Sequence, residues 1–270
     1  MPDIYNVNSR NIVGGPGRLV VKAFDGTYPE AIEDVMQGPE AGYELTAGWR
    51  DIGATTDGIN VSRGFDTEDF SVDQVNGVVD TDITDWTHTL ETSMAENTVT
   101  NRQLALVGGT IIETAPTFGT ETTTTGALAQ GATIVNLTSS AEFVAGGYAN
   151  IDGVNYRIES VTANSIVVSP GMVAAVDAAA VARPVTALGS RRIGYGTVDD
   201  VPFMTYALIS QKKDKTLYMQ VIRKAKVSGD DKTQTFGKEK RTLPLALNAY
   251  PDDAAAKEEN VYYEIEQVIN

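Results

Sequence analysis

The chain of 270 residues contains no cysteine and a single histidine. The lack of thiols excludes a disulfide framework, a thiol nucleophile, cysteine-held zinc and iron–sulfur clusters, and it suits a reducing compartment. With no second imidazole, the common histidine-based nucleophile and zinc constellations are excluded as well, which leaves carboxylate pairs or a carboxylate-held divalent ion. Positive charge is scarce: 21 basic against 36 acidic residues give a net charge of −15, so a basic face for sequence-independent nucleic-acid binding is not expected. No apolar run reaches membrane-spanning length, and Met1-Pro2-Asp3-Ile4-Tyr5 carries neither the basic nor the apolar segment of a secretion signal. These absences describe a soluble, unsecreted acidic protein with no expected cofactor, metal or membrane insertion.

What acid there is lies unevenly. Residues 1–100 hold 18 acidic and 5 basic side chains, residues 101–190 hold 6 and 3, and residues 191–270 hold 12 and 13. Such self-repulsion costs folding energy, so it serves either solvation or steering. A well-solvated surface accounts for it, and so does a wall facing a polyanion that must not stick. The lone His88 alternates with Trp86 and Leu90 at the strand period and reads as a strand residue packed among neighbours.

Short runs rich in Thr, Val, Ile and Tyr, broken by Gly, Asn and Asp, predict a mainly antiparallel β protein, a sandwich or barrel. Gly14-Gly15-Pro16-Gly17 is a turn before a strand over residues 18–24, not a phosphate loop. Residues 25–47 form a long connection with one helical turn near residues 29–36. Asp57-Gly58 reads as a tight turn, and Asn76-Gly77 as the turn of an acidic hairpin with arms over residues 65–72 and 82–92. One short covering helix is predicted after it, capped by Asn97 or Thr98 and ended by Gly108 in a left-handed conformation. Strands follow over residues 203–209, 217–227, 241–249 and 262–268, the third an edge strand because of Pro244.

The middle has a different texture. Residues 114–126 are threonine-rich and turn-forming, and alanine and valine then dominate with hairpin signals at Asp152-Gly153 and Ala163-Asn164. This predicts an inserted small β domain over residues 127–187, with residues 1–126 and 188–270 forming a discontinuous larger β domain.

The larger part resembles a known family. Trp49-Arg50-Asp51-Ile52-Gly53, then Thr56-Asp57-Gly58-Ile59, the Thr/Asp-rich hairpin around residues 72–92, the helix at residues 98–107, and Thr235-Phe236-Gly237-Lys238 through Leu243-Pro244-Leu245 to Ala249-Tyr250 are similar in order and texture to the major tail tube proteins of long-tailed bacteriophages, especially the non-contractile kind. The resemblance implies a structural, non-enzymatic virion protein. Its subunits would close into rings of six, stacked as a tail tube that is assembled in the host cytoplasm and conducts double-stranded DNA. Partners would be the chain itself, the tape measure protein and tail terminator or distal tail proteins, with the inserted domain outside the tube.

Under that reading Asp66, Glu68, Asp69, Asp73, Asp80, Asp82, Asp85 and Glu91 are candidate channel-lining acids, opposed by Phe65, Val72, Trp86 and Leu90 on the other face. Tyr28, Met36, Tyr43, Asn76, Gly77, Lys212, Lys213 and Lys215 are candidate assembly contacts, and Arg223, Lys224 and Lys226 extend the basic cluster. Three other readings stay open: a terminator, distal tail or capsid-associated β protein; a carboxylate-dependent glycosidase or lyase using Glu91 and Glu96, or Asp80, Asp82 and Asp85; and a carbohydrate- or host-binding module presenting Tyr148 and Tyr156.

Overall fold

The computed structural model describes residues 15–229, 232–234 and 236–268; the first five residues and Thr235 of the terminal run lie outside this range. The fold is mainly antiparallel β. In chain order the strands are β1 (Arg18–Ala23), β2 (Arg50–Asp51), β3 (Thr55–Ser71) and β4 (Val78–Met94), followed by helix α1 (Val99–Ala105). Then come β5 (Ile112–Thr114), β6 (Thr117–Phe118), β7 (Thr122–Thr123), β8 (Ile134–Asn136), β9 (Tyr148–Ile151), β10 (Val154–Val161), β11 (Ser165–Ser169), β12 (Val181–Ala187) and β13 (Ser190–Arg192). The last four are β14 (Met204–Gln211), β15 (Leu217–Val227), β16 (Leu243–Ala249) and β17 (Tyr262–Glu266). The chain divides into two compact units, residues 111–192 and the remainder.

The larger unit is one sheet in the order β2-β1-β14-β15-β16-β4-β3, with β17 pairing β15 beside β16. Both faces of its centre are buried, because β1, β14 and β15 are apolar at successive positions and not only at alternate ones. Leu19, Val21, Tyr206, Ile222, Leu245, Leu247, Leu90 and Met94 pack on one face with Ala105 of α1. Val20, Ala207, Ile209, Met219 and Val221 pack on the other. That second face is covered by the long connection of residues 25–47, through buried Ile32, Val35 and Met36 and half-buried Tyr43 and Leu45. The expected helical turn is there, a 3-10 turn at Ile32–Asp34.

Three local signals are spent differently from expectation. Asp57 and Gly58 take the left-handed backbone (φ 64° and 78°) as a two-residue bulge inside β3, between the Thr56–Ser93 and Ile59–Thr92 pairs, so they bend a strand and do not end it. Thr98 caps α1, its Oγ1 accepting from the Asn101 N–H at 3.2 Å. The helix ends sooner than expected, with Val107 and not Gly108 in the left-handed position (φ 51°). Gly108 donates its N–H to the Gln103 carbonyl and is small for another reason: a Cβ there would lie 2.4 Å from Ile193 Cδ1. Buried Asn101 ties the short helix down, its amide donating to the Ile52 and Glu96 carbonyls while its Oδ1 accepts from Arg50. Pro244 lies in an interior strand, yet β16 pairs β15 only over residues 247–249. At Pro244 the strand is a local edge, where a missing N–H costs nothing.

The smaller unit is a sheet in the order β6-β12-β9-β10-β11-β8, with β7 also on β12, and a separate β5–β13 ribbon. Its own core includes Val135, Leu137, Phe143, Ile151, Tyr156, Ile158, Ile166 and Met172. Asp152 and Gly153 (φ 49° and 83°) form the β9–β10 turn. The unit is wider than residues 127–187. The threonine-rich run supplies β6 and β7 to β12, with buried Thr124 bridging Leu137, since threonine is a strand former when it finds a sheet.

Candidate assembly surface

The most unusual element is the β3–β4 hairpin. Each arm has 17 residues, longer than the expected segments, and the strands meet through residues 72–77, not through a two-residue Asn-Gly turn. Val61 and Leu90 are the last pair packed on the core. Beyond them the ribbon runs on for about 30 Å at the rise of an extended strand, with almost every residue exposed.

Its register sorts the side chains into two rows. Arg63 faces His88, Phe65 faces Trp86, Thr67 faces Ile83, Asp69 faces Thr81 and Ser71 faces Val78, continuing the row begun by Val61–Leu90. The alternate row sets Asn60 against Glu91, Asp66 against Asp85, Glu68 against Asp82 and Phe70 against Asp80. Six of the eight candidate acids, Asp66, Glu68, Asp80, Asp82, Asp85 and Glu91, therefore share one face. Asp69 lies on the aromatic face, where its carboxylate accepts from Thr81 Oγ1 at 2.9 Å. Asp73 lies in the connecting loop, and Val72 is outside the strand. Two acid pairs stand directly across from each other, an arrangement that destabilises a strand pair. The other face leaves Phe65, Val78, Ile83 and Trp86 open to solvent.

At the root of the ribbon is a cleft of about 480 Å³ lined by Arg63, Trp86, His88, Lys257, Glu258 and Tyr262. Arg63 Nε donates to His88 Nε2 at 3.3 Å, and its guanidinium lies 4.1 Å from the Trp86 ring centre. Trp86 also packs on Phe65 at 5.0 Å, and His88 meets the edge of Tyr262 at 5.6 Å. Partial burial, aided by the Arg63 charge, holds the His88 pKa below its ordinary value. The cluster depends on Arg63 standing on a strand, and the signal for that is the alternation that runs from Ile59 to Phe65.

The remaining assembly candidates divide. Asn76 and Gly77 stand exposed at the ribbon tip, and Lys213 and Lys215 stand exposed at the β14–β15 turn. The other four make contacts within the chain, Met36 and Lys212 being covered and Tyr28 and Tyr43 half-buried. Met36 is buried, because the long connection is needed to close the second face of the sheet. Tyr43 packs on the same cluster and its carbonyl accepts from Arg18 at 2.8 Å. Tyr28 donates its hydroxyl to the Asp252 carboxylate and stacks at 4.4 Å on Arg223. Lys212 is almost covered and paired with Glu266. The rest of the basic cluster is likewise used internally: Arg223 pairs with Glu259 at 3.0 Å, Lys226 with Asp200 at 2.6 Å, and Lys224 lies over Phe203.

Glu91 stands on the ribbon, whereas Glu96 accepts from the Ala54 N–H at 3.0 Å. Tyr156 is buried in the smaller unit and its hydroxyl accepts from the Val173 N–H, so it presents no free aromatic face; Tyr148 is half-exposed. Among the described residues no cluster of three or more His, Asp or Glu side chains is placed to hold a metal. No helix among them is long and apolar enough to cross a membrane.

No family model matches the chain, and no curated protein matches it significantly in sequence. The geometry of the ribbon therefore carries the functional argument.

Proposed function

We propose that the chain is a structural subunit that polymerises through its projecting ribbon into closed, stacked rings, forming the DNA-conducting tail tube of a bacteriophage virion. The observation that carries this reading is the division of a projecting hairpin with two 17-residue arms into a largely apolar row and a largely acidic row. A two-stranded ribbon is marginal by itself in water, and one with an uncovered aromatic face and opposed carboxylates is poorer still. Neighbouring copies would cover the apolar row and pair the free edge of β3, and ring closure would leave no edge open to further pairing. The acidic row would then line the axis, where repeated copies repel the phosphate backbone over roughly 10 Å at physiological salt.

The test is direct. Purified protein viewed by negative-stain microscopy, with mass measured by light scattering over a range of concentrations, is expected to show rings and tubes with an open lumen. Variants carrying Asp66→Asn, Glu68→Gln, Asp82→Asn and Asp85→Asn together are expected to keep assembling while the lumen loses its repulsion for DNA. A protein that stays monomeric at every concentration and salt strength overturns the proposal.

A further inference from the structure

The smaller unit carries a second surface that the assembly reading does not use. Its sheet is closed on one side by the core, since Ala149, Ile151, Tyr156, Ile158, Ala182 and Val168 point inward. Strand alternation turns their neighbours outward, and the register lines them up in two rows. One row runs Phe118, Val185, Tyr148, Arg157 across β6, β12, β9 and β10; the next runs Arg183, Asn150, Asn155 across β12, β9 and β10.

The chemistry of this grid is specific. Phe118 and Tyr148 stand two strands apart, about 10 Å by the spacing of a sheet. Asn150 Nδ2 donates to Asn155 Oδ1 at 2.7 Å, which leaves the first amide's oxygen and one of its N–H groups, and the second amide's two N–H groups, free for a ligand. Arg183 lies 5.7 Å from the Phe118 ring centre and is held by Glu121 at 3.2 Å. Exposed Arg157 makes no ion pair with any described residue. Exposed Arg157 and the Glu121-held Arg183 are too few cations to hold a nucleic acid by phosphate contacts alone. Flat rings beside paired amides and a free guanidinium suit sugar rings, their vicinal hydroxyls and a carboxylate or phosphate on the chain.

We infer that the outer face of β12, β9 and β10 binds an acidic polysaccharide, with Tyr148 as the stacking platform, Arg157 as the anion contact and Asn150 and Asn155 reading hydroxyls. The experiment uses the full chain in affinity electrophoresis through gels containing polygalacturonate, polysialic acid or hyaluronate, with dextran and double-stranded DNA as controls. At least one acidic polysaccharide is expected to retard the protein more than dextran or DNA does. Arg157→Gln and Tyr148→Ala, each checked for an unchanged melting temperature, should weaken that retardation at least tenfold; Lys213→Gln should not. If Tyr148→Ala lowers the melting temperature, Asn155→Ala at an exposed position takes its place. Absence of retardation in all three acidic gels, equal retardation by DNA, or retention unaltered by the variants overturns the inference.

Discussion

Replacing both aromatic residues of the ribbon, Phe65→Ser with Trp86→Ser, should separate folding from assembly. Phe65 is 55% and Trp86 42% exposed, so about half of each ring system is left for a neighbour to cover. Aromatic side chains bury about 150–250 Å² when fully enclosed, which makes the uncovered share roughly 100 Å² apiece. At about 25 cal/mol per Å² that share corresponds to about 2.5 kcal/mol per residue. Imperfect cover and the ordering of the ribbon reduce the sum to about 3–4 kcal/mol for the pair. Each 1.4 kcal/mol is about tenfold in an equilibrium constant, so the concentration needed for assembly should rise about a hundred- to a thousandfold. Sedimentation velocity and light scattering measure that threshold, and a thermal melt of the dilute protein checks the fold, which loses little because the rings lie outside the core. A double variant with an unaltered melt that assembles at the parent concentration would refute the claim that this face is an interface.

Other consequences concern the rest of the molecule. Ile32→Ala should cost about 2–5 kcal/mol in urea unfolding, and deleting residues 28–42 should leave no cooperative transition; a folded, soluble deletion protein would show that the segment does not close the core. His88 titrates below its ordinary 6.5 in the folded chain because of burial and Arg63, so its contribution to stability is complete above pH 6.5 and is lost as pH falls through the folded value. His88→Gln should flatten that dependence in melts between about pH 5 and 7, the range in which histidine titrates, and an unchanged slope would assign it to other groups. Excising residues 111–192 behind a short Gly-Ser linker should leave the larger sheet folded, whereas excising only 127–187 strands β6 and β7 without β12 and should yield aggregate. Equal behaviour of the two excisions by circular dichroism and gel filtration would contradict the unit boundary.

The β architecture was legible because its signals are local. The β-branched and apolar runs over residues 203–209 and 217–227, the Asp152-Gly153 turn and the Thr98 cap each act within a few residues, and the structure uses them as strand, turn and cap. What was not legible depends on partners distant in sequence. Asp57-Gly58 supplies the same left-handed pair to a bulge as to a hairpin, and only the facing Ser93 and Thr92 decide which. Nothing within residues 25–47 states that Ile32 and Val35 will join one core cluster with Ala207 and Val221. The threonine run over residues 114–126 looks like a linker until β12 is there to pair with it. The hairpin and its strand alternation point to the candidate acids, but which of them share a face depends on the register.

That register rests on one extra residue. Along β4, Glu91 and Asp85 are odd-numbered and Asp82 and Asp80 even, so strict alternation would put them on opposite faces. The pairing steps from Asp66–Asp85 to Thr67–Ile83, leaving Thr84 without a partner. The bulge inverts the phase: Asp80 and Asp82 join Asp85 on the acidic row, while Ile83 and Thr81 join Trp86 on the other. With Thr84 in the ladder, Ile83 would sit among carboxylates and two aspartates would interrupt the aromatic face. A bulge forfeits regular pairing and adds local twist, yet here it gathers six acids on one face and Phe65, Ile83 and Trp86 on the other, with Asp69 and Phe70 as exceptions, along a ribbon that has no core beneath it. A solvated loop gains nothing from that separation, because water accepts both kinds of side chain in any order. A ribbon that must be covered on one side and remain wet on the other gains from it at every pair, and this is the physical reason to read the hairpin as an interface and not as decoration.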